Sequence, residues 1–371
     1  MNLDAMLADL EELVQCESYS TDHAAVERSA KAVAAQGLRL LGAEPETIVI
    51  DGVTHLRWSF GTPRVLLLGH HDTVWPIGSL LAHPWSVIDG VARGPGVFDM
   101  KAGLVQLFHA LASLPSLDGV CVLVVGDEEL GSPTSRPLIE SVAAGCSAAF
   151  VLEASAGRGA LKIARKGVSR YELLVYGKAA HAGLEPELGA NAGVELAHQI
   201  LAITEIAHQV DSSSDAGMVS VTPTLLSSGT STNTVPATGR VAIDVRVPDL
   251  ASQSRVDELM RALTPRLPGT RLELLGGPNR PPLDPASSAA LFARAVRTAE
   301  DLGMGPLEGV AVGGASDGNF TAGAGCPTLD GLGAVGGGAH AADEHVITGE
   351  MPVRARLVAA LVGSVLAETA P

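Results

Sequence analysis

The sequence predicts a mixed α/β fold, in which a mainly parallel sheet is covered by helices and interrupted by a ferredoxin-like βαββαβ domain. The first third of the chain alternates short apolar runs with amphipathic helices, a rhythm typical of a parallel sheet. The middle of the chain instead follows the order strand, helix, strand, strand, helix, strand. We therefore predict one domain at residues 1–166 plus 278–371 and an inserted domain at residues 167–277.

Short, wholly apolar runs predict the buried strands of the first domain. These runs are residues 65–68, 120–125 and 148–152. Between the first two lies a helical pattern at residues 101–114, with apolar side chains at positions i, i+3, i+4 and i+7, namely Leu104, Leu107, Phe108 and Leu111. Such spacing puts the apolar side chains on one face, which a sheet can cover.

The inserted domain is predicted from six consecutive elements. The strands are residues 169–176, 219–226, 239–247 and 270–275, and the helices are residues 191–209 and 252–263. Glycine and proline residues follow at 276–282, after which the α/β pattern resumes with helices at 289–301 and 352–367.

Composition excludes several classes of function. Lys and Arg total 25 against 41 Asp and Glu, giving a net charge of -16, so the surface repels nucleic acid and anionic lipid. No uncharged apolar run reaches the length of about 18 residues that a membrane span needs. The N-terminal segment is acidic and amphipathic, unlike a secretory signal. We expect a cytoplasmic protein that binds neither nucleic acid nor membranes.

The cysteines argue against a disulfide framework or a cysteine-bound zinc. They lie far apart in the sequence and form no CxxC pair: Cys16, Cys121, Cys146 and Cys326. We expect them to be buried, reduced thiols.

Polar residues stand where the predicted first-domain strands end. Ligands bind beyond the carboxyl ends of parallel strands, so these side chains should converge. A single acidic residue there would be read as a helix cap or a solvated loop. The converging set comprises His70, Asp72, Asp127, Glu128, Glu129 and Glu153, with Asp99 from a glycine-rich turn and His340 near the C-terminus.

The chemistry of this set predicts a dinuclear metal site. A carboxylate cluster is self-repulsive unless cations neutralise it. Imidazole and carboxylate ligands without thiolate suit zinc, with cobalt or manganese as substitutes. Two metal ions about 3.5–4 Å apart need a bridging carboxylate, which leaves two or three ligands for each ion.

The motifs that carry these residues resemble one family along nearly the whole chain. In order they are GHHDTV, GPGVFDMKAG, GDEELGS, Glu153, HAGLEPELGANA and His340. They are similar to those of the co-catalytic di-zinc metallopeptidase superfamily, which includes glutamate carboxypeptidase, succinyl-diaminopimelate desuccinylase, acetylornithine deacetylase, aminoacylase and carnosinase. The resemblance implies a catalytic α/β domain interrupted by a lid or dimerisation domain.

The resemblance also implies a ligand set. His70 and Glu153 would hold one zinc ion, Glu129 and His340 would hold the other, and Asp99 would bridge the two. Each subunit would therefore carry two Zn²⁺ ions.

Two further residues gain roles from the same resemblance. Asp72 would accept the second N–H of the His70 ring and orient it, as carboxylates near metal-bound histidines do. Glu128 would be the general base, taking a proton from the attacking water and giving it to the leaving amine.

Four residues of the inserted domain and its edge resemble substrate-binding positions. His181 would stabilise the oxyanion, often from the partner subunit of a homodimer formed through this domain. Arg246 would bind a substrate carboxylate, and Asn233 and Arg280 would contact the substrate. As alternatives, Arg246 faces solvent and Asn233 caps a turn.

The predicted activity is zinc-dependent hydrolysis of an amide or peptide bond next to a free carboxylate. Glu153 and the string GDEELGSPTSRPLIE are similar to glutamate carboxypeptidases in particular, although Ala154 stands where the family often has proline. One alternative is an N-acyl-amino-acid deacylase or desuccinylase with the same chemistry. A separate alternative is an enzyme for a specialised amide of a biosynthetic pathway. Another is a catalytically silent, metal-bearing binding protein.

Overall fold

The computed structural model describes residues 1–210 and 217–368, which divide into two compact units. Unit 1 consists of Met1–Ala164, Leu283–Ala311 and the chain from Ser316 onward, and unit 2 consists of Arg165–Pro282 and Val312–Ala315. The last segment joins unit 2 through backbone contacts: the Lys166 N–H donates to the carbonyl of Val312 at 3.2 Å. Residues 312–315 are predicted to belong to the first domain, and the difference arises because such a backbone contact leaves no pattern in the sequence.

The strands are given in chain order. They are β1 (Glu46–Ile50), β2 (Val53–Phe60), β3 (Val65–His70), β4 (Ser86–Ile88), β5 (Val91–Arg93), β6 (Val120–Val125), β7 (Ala148–Val151), β8 (Leu161–Arg165), β9 (Gly167–Tyr176), β10 (Ser220–Ser228), β11 (Thr238–Val247), β12 (Arg271–Arg280), β13 (Gly309–Val312), β14 (Thr328–Leu329), β15 (Gly336–Gly337) and β16 (His345–Ile347).

The helices are likewise given in chain order. They are α1 (Leu3–Gln15), α2 (His23–Leu41), α3 (Ala102–Leu111), α4 (Arg136–Ala143), α5 (Ala192–Gln209), α6 (Leu250–Arg261), α7 (Pro285–Asp301), α8 (Gly318–Gly323) and α9 (Glu350–Leu366). No helix in the described ranges is long and apolar enough to span a bilayer.

A six-stranded sheet forms the centre of unit 1, in the order β1-β2-β6-β3-β7-β14. Strands β6, β3, β7 and β14 run parallel, and β1 and β2 add an antiparallel edge. This arrangement confirms the predicted mixed α/β fold with a mainly parallel sheet.

Helices cover both faces of this sheet because its inner strands are apolar on both sides. In β3, Leu67 joins a core with α1, α3 and α9, whereas Leu66 and Leu68 join a second core with α4 and α8. Strands β3, β6 and β7 are buried along their whole length. The polar residues of the site lie at or just after their carboxyl ends. Those residues mark the carboxyl edge of the sheet.

Two smaller sheets complete the strand pairings of this part of the chain. Strands β15, β16, β5 and β4 form an antiparallel sheet in that order. Strand β5 leads into the turn that carries Asp99, and the loop between β15 and β16 carries His340. This four-stranded sheet therefore anchors the two segments that carry Asp99 and His340. Strand β8 pairs with β13.

Unit 2 has the order β9, α5, β10, β11, α6, β12 and a single antiparallel sheet arranged β10-β11-β9-β12. Alternate residues of β9 and β11 are buried against α5 and α6. Helix α5 begins at the Asn191 cap, whose side chain accepts the N–H groups of Gly193 and Val194, and Asp249 caps α6 by accepting from Ser252. This arrangement is the ferredoxin-like pattern.

Candidate metal centre

The carboxyl edge of the unit 1 sheet gathers most of the residues singled out from the sequence. His70 ends β3, Glu128 and Glu129 lie in a single 3₁₀ turn after β6, and Glu153 follows β7. Asp99 comes from the turn after β5, and its peptide bond to Met100 is cis. The convergence follows from the parallel alignment of the three strands.

His70 and Asp99 define one half of the site. The Nε2 atom of His70 lies 3.2 Å from Oδ1 of Asp99 and 3.5 Å from Oε1 of Glu153. The His70 ring is buried, so these contacts are made away from bulk water.

His340 and Asp99 define the other half. The Nε2 atom of His340 lies 3.2 Å from Oδ2 of Asp99 and 3.3 Å from Oε1 of Glu129. The His340 side chain is 49% exposed, and its backbone has φ +62°, which a residue other than glycine seldom adopts. Each oxygen of Asp99 thus faces a different histidine.

Contacts between the two imidazoles and the carboxylates offset part of the negative charge of the cluster. Burial, together with the Asp99 carboxylate, raises the pKa of Glu129 to about 7. Close contacts with the carboxylates of Asp99 and Glu129 raise the pKa of His340 to about 10. Burial alone would raise the pKa of Asp99, yet contacts with the two imidazoles hold it below its ordinary range. Cations placed here would take over this compensation.

The donor set fits two divalent metal ions. Imidazole nitrogens and carboxylate oxygens, without thiolate, are ligands of zinc and its substitutes. The Oε1 atom of Glu129 is buried and accepts no hydrogen bond of good geometry from the described residues. A buried anionic oxygen without a donor is costly unless a cation satisfies it.

Glu128 lies in the same cluster as the predicted ligands. Its carboxylate and the ligand atoms of His70 and Glu153 all lie within 4.8 Å of one another. The ligand atoms of His70, Asp99 and Glu129 satisfy the same condition. A carboxylate at this position can exchange a proton with anything bound between those groups.

Asp72 links the two strand ends. It is fully buried, and its Oδ1 atom lies 3.4 Å from Nδ1 of His70. Its two oxygens accept the backbone N–H groups of Glu128 and Glu129 at 3.2 and 3.3 Å. The Nδ1 atom of His70 also lies 3.0 Å from the backbone carbonyl of Asp72, so this residue orients the ring through its backbone oxygen as well as its carboxylate. The carboxylate anchors the turn that carries the two glutamates.

His181 and Asn233 come together within unit 2. The carbonyl of Asn233 accepts the N–H of Ala182 at 2.9 Å, next to an isolated bridge between His181 and Thr234. The Nδ1 atom of His181 accepts the N–H groups of Gly183 and Leu184, each at 3.1 Å. In the neutral ring the proton therefore resides on Nε2, which makes that atom a donor.

Arg246 and Arg280 flank one residue of the unit 2 sheet. Each pairs with Val168 of β9, one from β11 and the other from β12, so the three positions form one row. The guanidinium of Arg246 makes two hydrogen bonds to Asp244, at 2.8 and 3.0 Å. Arg280 is buried, and its carbonyl accepts from Gln253 at 2.9 Å.

Glu344 is a residue of this site that the sequence analysis did not single out. Its buried carboxylate accepts the backbone N–H groups of Gly96, Phe98 and Asp99 and the indole N–H of Trp75. In the sequence it is one acidic residue in a polar loop, and its role depends on distant backbone donors. Only its place four residues after His340 could have drawn attention to it.

Comparison with known proteins gives a family match. The model of peptidase family M20/M25/M40 matches residues 66–364. Carboxypeptidase G2 of Pseudomonas sp. (strain RS-16) is 29% identical over 378 residues, covering 96% of this chain and 88% of that protein. A succinyl-diaminopimelate desuccinylase of Acidiphilium cryptum (strain JF-5) is 28% identical over 362 residues, covering 91% of this chain and 92% of that protein.

Solved structures share the fold over its whole length. The M20 family metallo-carboxypeptidase Sso-CP2 of Sulfolobus solfataricus matches with a TM-score of 0.75 and 16% sequence identity, covering 98% of this chain and 99% of that chain.

Proposed function

Because this chain belongs to peptidase family M20/M25/M40, and is therefore a metallohydrolase acting on amide or peptide bonds, we propose that it cleaves such a bond next to a free carboxylate, as a glutamate carboxypeptidase does. The observation that carries the proposal is the Asp99 carboxylate, whose two oxygens each lie 3.2 Å from a different histidine. The similarity to carboxypeptidase G2 supports the choice of bond.

In the proposed site, His70 and Glu153 would hold one zinc ion, Glu129 and His340 would hold the other, and Asp99 would be a ligand of both. The buried Oε1 atom of Glu129, which lies 3.3 Å from Nε2 of His340 and accepts no hydrogen bond of good geometry, supports this assignment. Zinc bound there supplies Lewis-acid polarisation of the scissile carbonyl and a water acidified towards neutral pH. Cobalt and manganese are expected substitutes.

Glu128 is the proposed general base. It takes the proton of the attacking water and gives it to the nitrogen of the leaving amine, so its carboxylate is regenerated. Its position within 4.8 Å of the His70 and Glu153 ligand atoms supports this role. Asp72 contacts Nδ1 of His70, which keeps Nε2 of the ring pointing towards the proposed metal ion, and it accepts the backbone N–H of Glu128.

Residues of unit 2 are proposed to bind the substrate. His181 donates its Nε2–H to the developing oxyanion, and the two N–H groups held by Nδ1 support that tautomer. Arg246 binds the substrate carboxylate, helped by Arg280 in the same row of the sheet. Asn233, held beside His181 by the Ala182 contact, is a further substrate contact.

A homodimer formed through unit 2 is part of the proposal. Leu201 on α5 and Leu225 on β10 are 66% and 76% exposed, and Leu226 and Met218 are also exposed. Strand β10 stands at the edge of its sheet. An exposed edge strand beside apolar side chains is a surface that a second copy can cover.

A cytoplasmic location is also proposed. The structure has four free cysteines, which is the state of thiols in a reducing compartment.

A deacylase or desuccinylase is the second candidate. The succinyl-diaminopimelate desuccinylase relatives favour it, since the hydrolytic chemistry would be the same. A silent binding protein is the third, and Glu128 beside the ligands argues against it because such a protein needs no base.

A mass-spectrometric screen of zinc-loaded protein separates these candidates. The panel contains amides that differ on both sides of the bond, with the E128A variant as the inactive control. Selective release of glutamate or a near relative supports the carboxypeptidase. Release from N-acyl amino acids or succinyl conjugates favours the deacylase, and no turnover across the panel overturns the proposal.

The carboxylate-binding role of Arg246 is tested with a matched control. R246A should raise KM for carboxylate-bearing substrates, whereas R240A should not. Arg240 lies on the same strand and contacts Glu172 and Ser227 instead. Equal KM values in both variants would assign the carboxylate contact to another residue.

A further inference from the structure

The Glu344 carboxylate is surrounded by N–H donors. It is 3% exposed. Its Oε1 atom accepts from Phe98 at 2.8 Å and from Asp99 at 3.0 Å. Its Oε2 atom accepts from the Trp75 indole at 2.7 Å and from Gly96 at 3.0 Å. Each oxygen thus has two donors.

These donors belong to the segments that carry the proposed ligands. Trp75 follows the strand end that bears His70 and Asp72. Gly96, Phe98 and Asp99 form the turn whose last residue contacts both histidines. Glu344 itself lies in the loop that bears His340, between β15 and β16. One carboxylate therefore connects three ligand-bearing segments of unit 1.

The contact to Asp99 is direct. Glu344 accepts the backbone N–H of Asp99, the same residue whose side chain contacts both histidines. The turn is tightly built: Gly96 has φ +71°, and a Cβ at this position would lie 2.5 Å from Cγ2 of Thr73. The position of the Asp99 carboxylate is set by this turn, and the turn is held by Glu344.

Only a carboxylate can make all four contacts. Both of its oxygens are acceptors, so each can take two N–H groups. A glutamine would turn an NH₂ group towards one pair of donors, which would then be unsatisfied in a buried place. The four donors thus select for the charged residue.

We propose that Glu344 is a positioning residue of the metal centre, which fixes the Asp99 carboxylate between the two metal positions and so sets the affinity for both ions. This inference rests on the proposed function, because it assigns Asp99 as the shared ligand. Glu344 touches neither a metal nor the substrate in this role; it acts through the backbone of the Asp99 turn.

The chain offers a matched control in unit 2. Glu195 is also fully buried, and its carboxylate accepts the N–H groups of Arg266 and Leu267 and the amide of Gln199. E195Q therefore removes a comparable network that has no link to the ligands. Both E344Q and E195Q should lower the thermal midpoint.

Cobalt titration of the metal-free full chain separates positioning from general stability. The readouts are the dissociation constants, the number of ions bound and the visible absorption of bound Co²⁺. We expect E344Q to weaken Co²⁺ binding by about 10–100-fold and to change the absorption spectrum. E195Q should keep the affinity and spectrum of the wild type.

Two results would overturn the inference. One is an E344Q protein with wild-type affinities and spectrum, and the other is an equal loss of affinity in E344Q and E195Q. If E344Q does not fold, E344D keeps both oxygens but withdraws them by one methylene. It should then show a weaker change of the same kind, and an unchanged spectrum would count against the role.

Failure of the proposed function would look different. It would appear in the wild type, as fewer than two Co²⁺ ions bound per chain, before any variant is compared. That result would remove Asp99 as a shared ligand and the inference with it.

Discussion

The Oδ1 atom of Asp72 lies 3.4 Å from Nδ1 of His70, while the same carboxylate accepts the backbone N–H groups of Glu128 and Glu129. The end of β3 and the turn after β6 are thus tied together beneath the proposed metal site. Loss of this carboxylate should disturb a ligand and the proposed base at once.

The D72N variant tests this link. The asparagine side chain replaces one carboxylate oxygen with an NH₂ group, so either His70 or the turn loses an acceptor. We therefore expect metal affinity to fall by about 10–100-fold. D9N is the control, because Asp9 is also buried and contacts an imidazole, that of His109, at 2.7 Å. Calorimetric titration with zinc measures both. Equal affinities in the two variants would exclude an orienting role for Asp72.

Glu128 should separate turnover from metal binding. In E128Q the proton acceptor is lost while the predicted ligands remain, so turnover should fall by about 10²–10⁴-fold at unchanged metal content. Metal analysis and steady-state kinetics on the same preparation provide the comparison, with E140Q on α4 treated identically. A large drop in metal content would make Glu128 a ligand instead of a base.

Gly103 marks a close approach between α3 and the strand that leads to Glu153. A Cβ at this position would lie 2.1 Å from the carbonyl oxygen of Leu152, so G103A forces α3 away from β7. We expect a loss of about 1–3 kcal/mol in the free energy of unfolding. G349A should be neutral, since its Cβ would meet no atom within 4 Å. Urea denaturation compares the two, and equal stabilities would contradict this packing.

Leu201 tests the proposed dimer. L201E places a charge on the exposed apolar surface of α5, and we expect the particle mass to fall from twice the 37.9 kDa chain mass to that of one chain. L81E is the control, because Leu81 in unit 1 is 92% exposed. Sedimentation equilibrium gives both masses. A wild-type mass of one chain would rule out the dimer.

The thiols of the half-buried Cys146 and the buried Cys326 predict a defined response of stability to pH. Burial raises the pKa of Cys146 to about 11 and that of Cys326 to about 12, above the unfolded value of about 8.5. The folded state therefore keeps these two thiol protons to a higher pH than the unfolded state does. These groups stabilise the fold fully below the unfolded pKa, and the contribution is lost as pH rises through the folded values.

Thiol labelling measures this effect. At pH 8 the folded protein should react with iodoacetamide far more slowly at Cys146 and Cys326 than the urea-unfolded protein does, because little thiolate is present. Peptide mapping resolves the individual sites. Similar rates in the two states would show that these thiols are neither buried nor perturbed.

The sequence predicted the central part of the fold because the signals there are long and local. Strands β3, β6 and β7 are runs of buried, mostly apolar residues, and polar residues lie at or within two residues after their carboxyl ends, so the parallel sheet and its polar edge follow from the pattern. The order of elements in unit 2 was also predictable, since β9 and β11 alternate between buried and less buried residues and the helices keep their apolar spacing.

The remaining features depend on contacts that the pattern does not encode. Strands β4, β5, β15 and β16 have two or three residues each, too few to show a period. Glu344 receives its donors from residues 245 to 269 positions away. His340 entered the converging set without a strand or helix pattern behind it, because it lies in a loop, and its place in the ligand set came from the resemblance.

The division of unit 1 by an insertion has a consequence for synthesis on the ribosome. His70, Asp99, Glu129 and Glu153 all emerge before unit 2 begins, whereas His340 emerges only after unit 2 is complete. At about 5–20 residues per second, this interval lasts about ten to forty seconds. A metal ion captured early would meet His70 and the carboxylates without His340, so the complete ligand set belongs to the full-length chain and not to the nascent one.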